Sequence, residues 1–286
     1  MKRLFYLVFL FFVTSIKAQD VLFYSGNSVS AVDASDVDSV IFTPPQTVSS
    51  CYLQLHSKWK GKKVGFLGDS ITEQGEYVDA YQTLSGCIAL NYGISGTTIA
   101  GDYPNAMCKR FKIQLSDDLD MVVVLGGVND FQGSGHSFPM GSFINANLDG
   151  SLDVTFYGAL HTLMRGLREK YQSIPIVFLT PLHCQYSGRG EYDESIFNEN
   201  GTLVEKKYPL NDGTDSIGSS LKNFVNAIKE VAVLYSIIVI DTYAISGISP
   251  LIPGNKSLYT KDGLHLNTKG GERLAKTIYP VLESLM

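Results

Sequence analysis

Short apolar runs and helical periodicities alternate along most of this chain, and the alternation predicts its architecture. Val64 to Leu67, Met121 to Leu125, Ile174 to Leu179 and Ile237 to Ile240 are runs dominated by Val, Ile and Leu, and Leu90 to Gly93 is a weaker fifth. Runs this short and this apolar suit strands buried on both faces of a parallel sheet. Between them, Phe156, Leu160, Leu163, Met164, Leu167 and Tyr171 fall at helical spacing, as do Leu221, Phe224, Val225, Ile228, Val231 and Tyr235. Leu274, Ile278, Val281, Leu282 and Leu285 predict a last helix, with a kink expected near Pro280. Strand–helix alternation of this kind implies right-handed crossovers and an α/β fold. The expectation is a three-layer α/β/α sandwich with a mostly parallel, flavodoxin-like five-stranded sheet. Ligands of such sheets bind beyond the C-terminal strand ends.

Two stretches interrupt the rhythm. Residues 182–217 are long, polar and aperiodic, and residues 131–153 form a shorter excursion. Both follow a predicted strand, so both should border the same crevice, and loops of such length in compact domains are commonly functional. The N-terminal region reads differently again. Lys2 and Arg3 precede an apolar run from Leu4 to Val13, and Thr14 to Ala18 read as a cleavage zone with Ala18 at its end. That order is the export pattern, and the run is short for a membrane span. Residues 1–18 are therefore read as a signal peptide cut after Ala18, and the mature chain is expected to be secreted or periplasmic, with no stable membrane anchor. Residues 19–60 read as a β-rich appendage and linker, with strands at Val21 to Tyr24 and Val37 to Phe42 around a Ser/Asp/Gly-rich turn region, then Pro44, Pro45 and a connection reaching Trp59. Residues 61–286 form the main domain.

Charge and cysteine usage narrow the partners. The formal net charge is -5, and loss of Lys2, Arg3 and Lys17 with the leader takes it to -8. An acidic surface repels phosphate backbones, so nucleic acid is not an expected partner. Cys51, Cys87, Cys108 and Cys184 contain no C-x-x-C pair, which argues against a zinc or redox motif. Export permits disulfides, but spacing alone assigns no pairing; Cys87, in an apolar stretch read as helical, is expected to be a buried free thiol. Composition says nothing about oligomeric state.

Four short motifs carry candidate chemistry. Gly68-Asp69-Ser70 follows the first strand directly, where Gly68 would allow a sharp turn and place a hydroxyl at the strand tip. Asp262-Gly-Leu-His265 lies just before the last helix. A three-residue spacing lets the carboxylate reach the imidazole Nδ1–H, which fixes the tautomer and leaves Nε2 free to accept a hydroxyl proton. Gly126-Gly-Val-Asn129-Asp130 places an amide donor after another strand, and Asn91-Tyr-Gly-Ile-Ser-Gly96 suits a tight loop with an exposed backbone N–H. Each motif alone is compatible with an ordinary turn or cap. Together, in this order, they can converge on one crevice.

Gly68-Asp69-Ser70, Gly96, Asn129 and Asp262-x-x-His265 resemble the four sequence blocks of the SGNH, or GDSL-like, hydrolase family, in order and near the usual spacing. Ile71 stands where that family's first block often has Leu. The similarity covers roughly residues 61–286. It implies a serine esterase or deacylase without metal or nucleotide cofactor. In that reading Ser70 is the nucleophile, His265 the acid–base group and Asp262 its orienting partner. The backbone N–H groups of Ser70 and Gly96 and the Asn129 amide form the oxyanion hole. No G-x-S-x-G, H-E-x-x-H or dinucleotide-binding motif competes with it. Asp69, Phe131, His136, His183, Tyr186 and Arg189 are candidate substrate contacts, with Tyr192 as a further rim residue. His161 is expected on a solvated helix face, and His56 in the linker has no assigned role. The expected substrate is a small-molecule or glycan ester with a short acyl group, such as an O-acetyl group on carbohydrate. The alternatives are a lysophospholipase or thioesterase with the same site, and a non-catalytic carbohydrate-binding module of the same fold.

Overall fold

The structure, a computed structural model, describes residues 20–25, 28–33, 57–133, 138–143, 151, 153–186, 189–193, 202–206 and 219–286. The leader, the second strand expected at Val37 to Phe42, His56 and His136 lie outside the described residues. The chain divides into two compact units, Met1–Val48 and Ser49–Met286. In the first, β1 (Asp20–Ser25) pairs antiparallel with β2 (Ser28–Asp33). β1 contains the expected strand. β2 falls where the sequence read as a turn region, because Val29 and Ala31 alternate with serines at period two, a strand signal that the polar composition hid.

The second unit is built on a parallel sheet of β3 (Lys63–Gly68), β4 (Ile88–Gly93), β5 (Met121–Leu125), β6 (Ile176–Leu179) and β9 (Ile238–Ile240), in the order β4-β3-β5-β6-β9. This is the flavodoxin-like order, with the reversal between β3 and β5. All five predicted runs are strands. The three central ones are almost wholly buried, whereas the edge strands β4 and β9 are half-exposed, which explains the weaker signal of Leu90 to Gly93. Register aligns the strand tips in one row: Gly93 pairs with Gly68, Gly68 with Leu125, Leu125 with Leu179, and Leu179 with Ile240. Whatever follows these residues emerges along one edge of the sheet.

Helices α1 (Ser70–Glu73), α2 (Glu76–Ser85), α3 (Met107–Gln114), α4 (Val128–Gln132), α5 (Phe156–Lys170), α6 (Leu221–Leu234), α7 (Thr242–Ile245), α8 (Pro253–Tyr259) and α9 (Thr268–Glu283) complete the unit. On one side α2 packs on α9; on the other α3 packs on α5 and α5 on α6. Short β7 (Gln185–Tyr186) and β8 (Arg189–Gly190) form a hairpin after β6. Among the described residues no helix is long and apolar enough to cross a membrane. Trp59, at the end of the predicted linker, is buried, and its indole N–H donates to the Leu282 carbonyl at 2.7 Å.

Two local expectations need correction. His161 is not solvated: it is buried, its Nδ1 lies 2.9 Å from the Tyr235 hydroxyl, and the Phe143 and Tyr235 rings flank it. Burial pushes its pKa down. The helix period placed it on the polar face, but Tyr235 and Phe143 reach over that face from outside α5. Cys87 is a buried free thiol as expected, though it sits between α2 and β4 rather than in a helix; Cys108 and Cys184 are also buried and free, and Cys51 lies outside the described residues. Burial pushes the Cys87 thiol up to about 11.

Gly68 also serves a purpose other than the one its position suggested. It has no positive φ. A Cβ there would lie 2.0 Å from Thr72 Oγ1 and 2.6 Å from the Leu125 carbonyl oxygen, so glycine is required by close approach of β5 and α1. Gly68→Ala should therefore cost about 1–3 kcal/mol in urea denaturation, the usual range for overpacking. Gly254→Ala, where a Cβ meets open space, should stay within about 0.5 kcal/mol of wild type. Equal midpoints for the two variants would contradict the packing account.

Candidate active site

The row of strand tips places the motif residues. β3 ends at Gly68, and Asp69 caps α1: its Oδ1 accepts the Ile71 N–H at 3.0 Å, so Ser70 becomes the first residue of a helix at the sheet edge. This corrects the expectation that Asp69 contacts substrate. Its side chain is fully buried, and burial pushes the carboxyl up to about 6, against the Ile71 hydrogen bond and the charges of His265 and Arg110. The second oxygen, Oδ2, has no hydrogen-bond partner among the described residues.

His265 reaches Ser70 from the other end of the sequence. The loop before α9 is closed by a bridge between Thr260 and Leu266 and by the Lys261 N–H donating to the His265 carbonyl at 2.8 Å. Within it, Asp262 Oδ1 accepts the Leu264 and His265 N–H groups at 2.9 and 2.8 Å, while Oδ2 lies 2.7 Å from His265 Nδ1. Burial opposes the Asp262 charge, but the His265 ring and the two backbone donors outweigh it and hold the carboxyl below its ordinary range. A carboxylate only accepts, so Nδ1 carries the hydrogen and Nε2 faces outward with its lone pair. His265 Nε2 lies 2.9 Å from Ser70 Oγ. Gly263 makes the loop possible: its φ is +94°, and a Cβ would sit 2.3 Å from the Gln185 carbonyl oxygen. Lys261 ties the loop down, with Nζ 2.9 Å from Gln74 Oε1 and 3.0 Å from Glu76 Oε1.

The loop from Ile94 to Gly101 brings in Gly96, which has a φ of +74°. Every other N–H in this loop donates to protein. Ile94 gives to the Gly68 carbonyl, Ser95 to Glu73, Thr97 to the Ile94 carbonyl and Thr98 to the Tyr103 hydroxyl. Ile99 and Ala100 give to the two Asp130 carboxylate oxygens, both at 2.9 Å, and Gly101 to the Asp153 carbonyl. The Gly96 N–H has no acceptor among the described residues, and neither does the Ser70 N–H. Asn129, in the first turn of α4, is buried, and its Nδ2 donates one hydrogen to the Thr97 carbonyl at 3.0 Å, which aims the amide at this loop and leaves its other hydrogen unspent.

Two supporting residues escaped the sequence reading. Asp130 is buried, and burial pushes its carboxyl up to about 7 despite its two backbone donors. Arg110 is 1% exposed, and its guanidinium spends its donors on carbonyls: Nη2 to Gly68 at 2.7 Å, Nη1 to Tyr92 at 2.6 Å and Nε to Asn105 at 3.0 Å. It thus ties the end of the strand bearing Ser70 to the end of the strand leading to Gly96. Burial lowers its pKa to about 10. Nothing in the sequence marks an Arg in a polar-looking helix as buried; only the Asn129-Asp130 adjacency offered a hint for Asp130.

The remaining rim candidates divide. Phe131 is buried and packs edge-on against Phe224 at 6.2 Å, so it belongs to the core and not to the rim, a correction that follows from α4 turning its apolar face inward. Tyr186 stands edge-on to His265, ring centroids 6.2 Å apart. His183 lies near the same hairpin, with Nδ1 2.9 Å from Glu191 Oε2. Arg189 is exposed and forms no ion pair with a described residue; its carbonyl accepts from Gln132 at 2.9 Å. Tyr192 is half-buried and bridges to Glu205. Among the described residues no group of three or more His, Cys, Asp or Glu could hold a metal ion.

Comparison with known proteins bears on this arrangement. The profile of the GDSL-like Lipase/Acylhydrolase family matches residues 66–273. A solved structure from Lactobacillus plantarum is 27% identical, with 79% of this chain and 99% of that chain covered and a TM-score of 0.64. A possible lipase from Chitinophaga pinensis DSM 2588 is similar in fold at 19% identity, covering 78% and 98%, with a TM-score of 0.53. A GDSL-like lipase from Bacteroides thetaiotaomicron VPI-5482 is similar in fold at 18% identity, covering 79% and 90%, with a TM-score of 0.50. No curated protein matches the sequence.

Asp130→Ala orphans two buried N–H groups, each worth about 1–3 kcal/mol. The variant should lose about 2–5 kcal/mol of stability in urea denaturation. A loss below about 0.5 kcal/mol would show that the Ile99–Ala100 segment does not depend on it.

Proposed function

The chain belongs to the GDSL-like Lipase/Acylhydrolase family and is an ester-cleaving hydrolase; from that premise we propose that it works through a Ser70–His265–Asp262 triad and an acyl-enzyme intermediate. One observation carries this reading: the 2.9 Å contact of His265 Nε2 with Ser70 Oγ, backed by the 2.7 Å contact of Nδ1 with Asp262. His265 Nε2 takes the hydroxyl proton as Ser70 Oγ attacks the acyl carbonyl. The resulting oxyanion is met by the Ser70 N–H, the Gly96 N–H and the Asn129 amide, donors already in place before the charge develops. His265 then gives the proton to the departing alcohol. Water, activated by the same imidazole, releases the acid and restores Ser70. Asp262 holds the tautomer and faces the imidazolium.

The substrate we propose is a short-chain acyl ester, with O-acetyl groups on carbohydrate as the leading class, met outside the cytoplasm after removal of residues 1–18. The export-type leader and a mature charge of -8 favour a neutral glycan ester over an anionic lipid surface. A chain-length series of nitrophenyl esters tests this: hydrolysis should be fastest for acetyl and fall with length, and a preference for acyl chains of about eight carbons or more would point instead to the lysophospholipase or thioesterase alternative. A fluorophosphonate probe should label the wild type and not Ser70→Ala, whose turnover should drop by about 10⁴-fold or more. Equal labelling of the two would leave the non-catalytic reading in its place.

The pH dependence has a definite sign. Only neutral imidazole accepts the Ser70 proton, while Asp262 is already ionised because its pKa is lowered. Turnover should therefore fall on acidification along a single-proton limb; a flat profile from about pH 5 to 8 would contradict the base role.

A further inference from the structure

A second carboxylate–imidazole pair flanks the β7–β8 hairpin. Glu191, 1% exposed, spends its carboxylate on three donors: the His183 Nδ1–H at 2.9 Å, the Cys184 N–H at 3.3 Å and the Tyr243 hydroxyl. Among the described residues His183 is the sole basic side chain in ion-pair contact with it. The imidazole also lies on the Tyr243 ring, centroids 3.8 Å apart. A buried carboxylate that only accepts puts the hydrogen on Nδ1, so Nε2 is the free atom of this ring. Nε2 has no partner among the described residues, yet it is not among the buried atoms lacking one. With the side chain 26% exposed, it opens to solvent. A ring clamped on one nitrogen and one face, with its other nitrogen presented outward, is built to contact something the structure does not contain.

Its placement says which part of a substrate it meets. The departing alcohol must lie against His265, because His265 Nε2 delivers the proton to it. The β7–β8 hairpin lies on that side: Tyr186 stands edge-on to His265, and the Gln185 N–H donates to the Gly263 carbonyl at 2.8 Å, within the loop carrying Asp262 and His265. His183 precedes Gln185 by two residues, so their Cα atoms are at most about 7 Å apart. The oxyanion donors, by contrast, come from the segments after β3, β4 and β5.

We propose that His183, held by Glu191 and Tyr243, reads a hydroxyl group on the alcohol half of the ester, so that this site takes polyol or sugar esters rather than esters of simple alcohols. The assignment rests on the ester-hydrolase mechanism proposed above and adds the residue that reads the alcohol half of its substrate. A hydroxyl fits because it both donates and accepts: it donates to Nε2 of the neutral ring and accepts from Nε2–H of the charged one. A carboxylate or an ammonium would suit only one of those states.

The test compares a monoacetylated methyl xyloside with cyclohexyl acetate, the same ring without hydroxyls, by pH-stat in wild type and His183→Asn. Asparagine Nδ2 occupies the place of Nδ1, so Glu191 keeps a donor while the Nε2 arm is lost. The variant should lower kcat/KM for the xyloside ester about tenfold more than for cyclohexyl acetate, with the loss mainly in KM. His183→Gln, whose amide can reach the place of Nε2, should recover part of the difference. Equal loss on both esters, with an unchanged melting temperature, overturns the proposal, and so does no loss on either. Equal loss accompanied by a lowered melting temperature passes the decision to His183→Gln, which must then discriminate between the two esters for the proposal to stand. If the wild type cleaves neither ester and Ser70 takes no fluorophosphonate label, the hydrolase mechanism itself has failed. If Ser70 labels but only cyclohexyl acetate is cleaved, the hydroxyl-reading site alone has failed.

Discussion

The hydrogen bond between His265 Nε2 and Ser70 Oγ joins positions 195 residues apart, and most of the second unit can be understood as the apparatus that holds it. A serine hydroxyl is a poor nucleophile without a base at hydrogen-bonding distance, and a misplacement of 1 Å is costly. Two separate devices set the two partners. Ser70 is positioned by the sheet, as the residue that follows the capped end of a central strand. His265 is positioned by α2 packing on α9 and by Lys261 reaching Gln74 and Glu76. Asn267, whose Oδ1 caps α9 through the Gly270 N–H at 3.0 Å, starts the last helix just after the imidazole.

The loops that carry Gly96 and Asn129 depend on a buried polar frame. Asp130 accepts from Ile99 and Ala100, Asn129 donates to Thr97, and Arg110 gathers the carbonyls of Gly68 and Tyr92. Charged groups removed from water are expensive unless every hydrogen bond is met. The same expense makes the frame selective: an alternative arrangement of these loops would strand a buried carboxylate or guanidinium. Rigidity is bought here by satisfied polar groups, and the Gly96 N–H is left over as the loop's unspent donor.

The segment around the β7–β8 hairpin is organised by a different carboxylate. Glu191 orients His183 as Asp262 orients His265, and both imidazoles present Nε2 from rings whose Nδ1 is committed. In the mechanism proposed above the first pair moves a proton, and the second is assigned to recognition. One hairpin, through the Gln185 N–H donating to the Gly263 carbonyl, links the segments that carry the two pairs.

Much of this was legible in the sequence. Five apolar runs became the five strands, most plainly the three central ones, where burial on both faces leaves no polar position to disguise a strand. Ser70, Asp262 and His265 were legible because strand tips and short loops impose local spacing, as Asp262 and His265 show within a single turn of chain. Other features had no local signal. The burial of His161 under Tyr235 and Phe143, of Phe131 against Phe224 and of Asp69 beneath α1 depends on elements distant in sequence. So does the need for glycine at position 68, which comes from the approach of Leu125 and Thr72 and not from its own backbone. Hydrophobic periodicity and motif order determined the fold class and singled out Ser70, Asp262 and His265 as candidates. Tertiary structure alone decided which polar side chains lie inside, since that depends on where distant donors and acceptors meet.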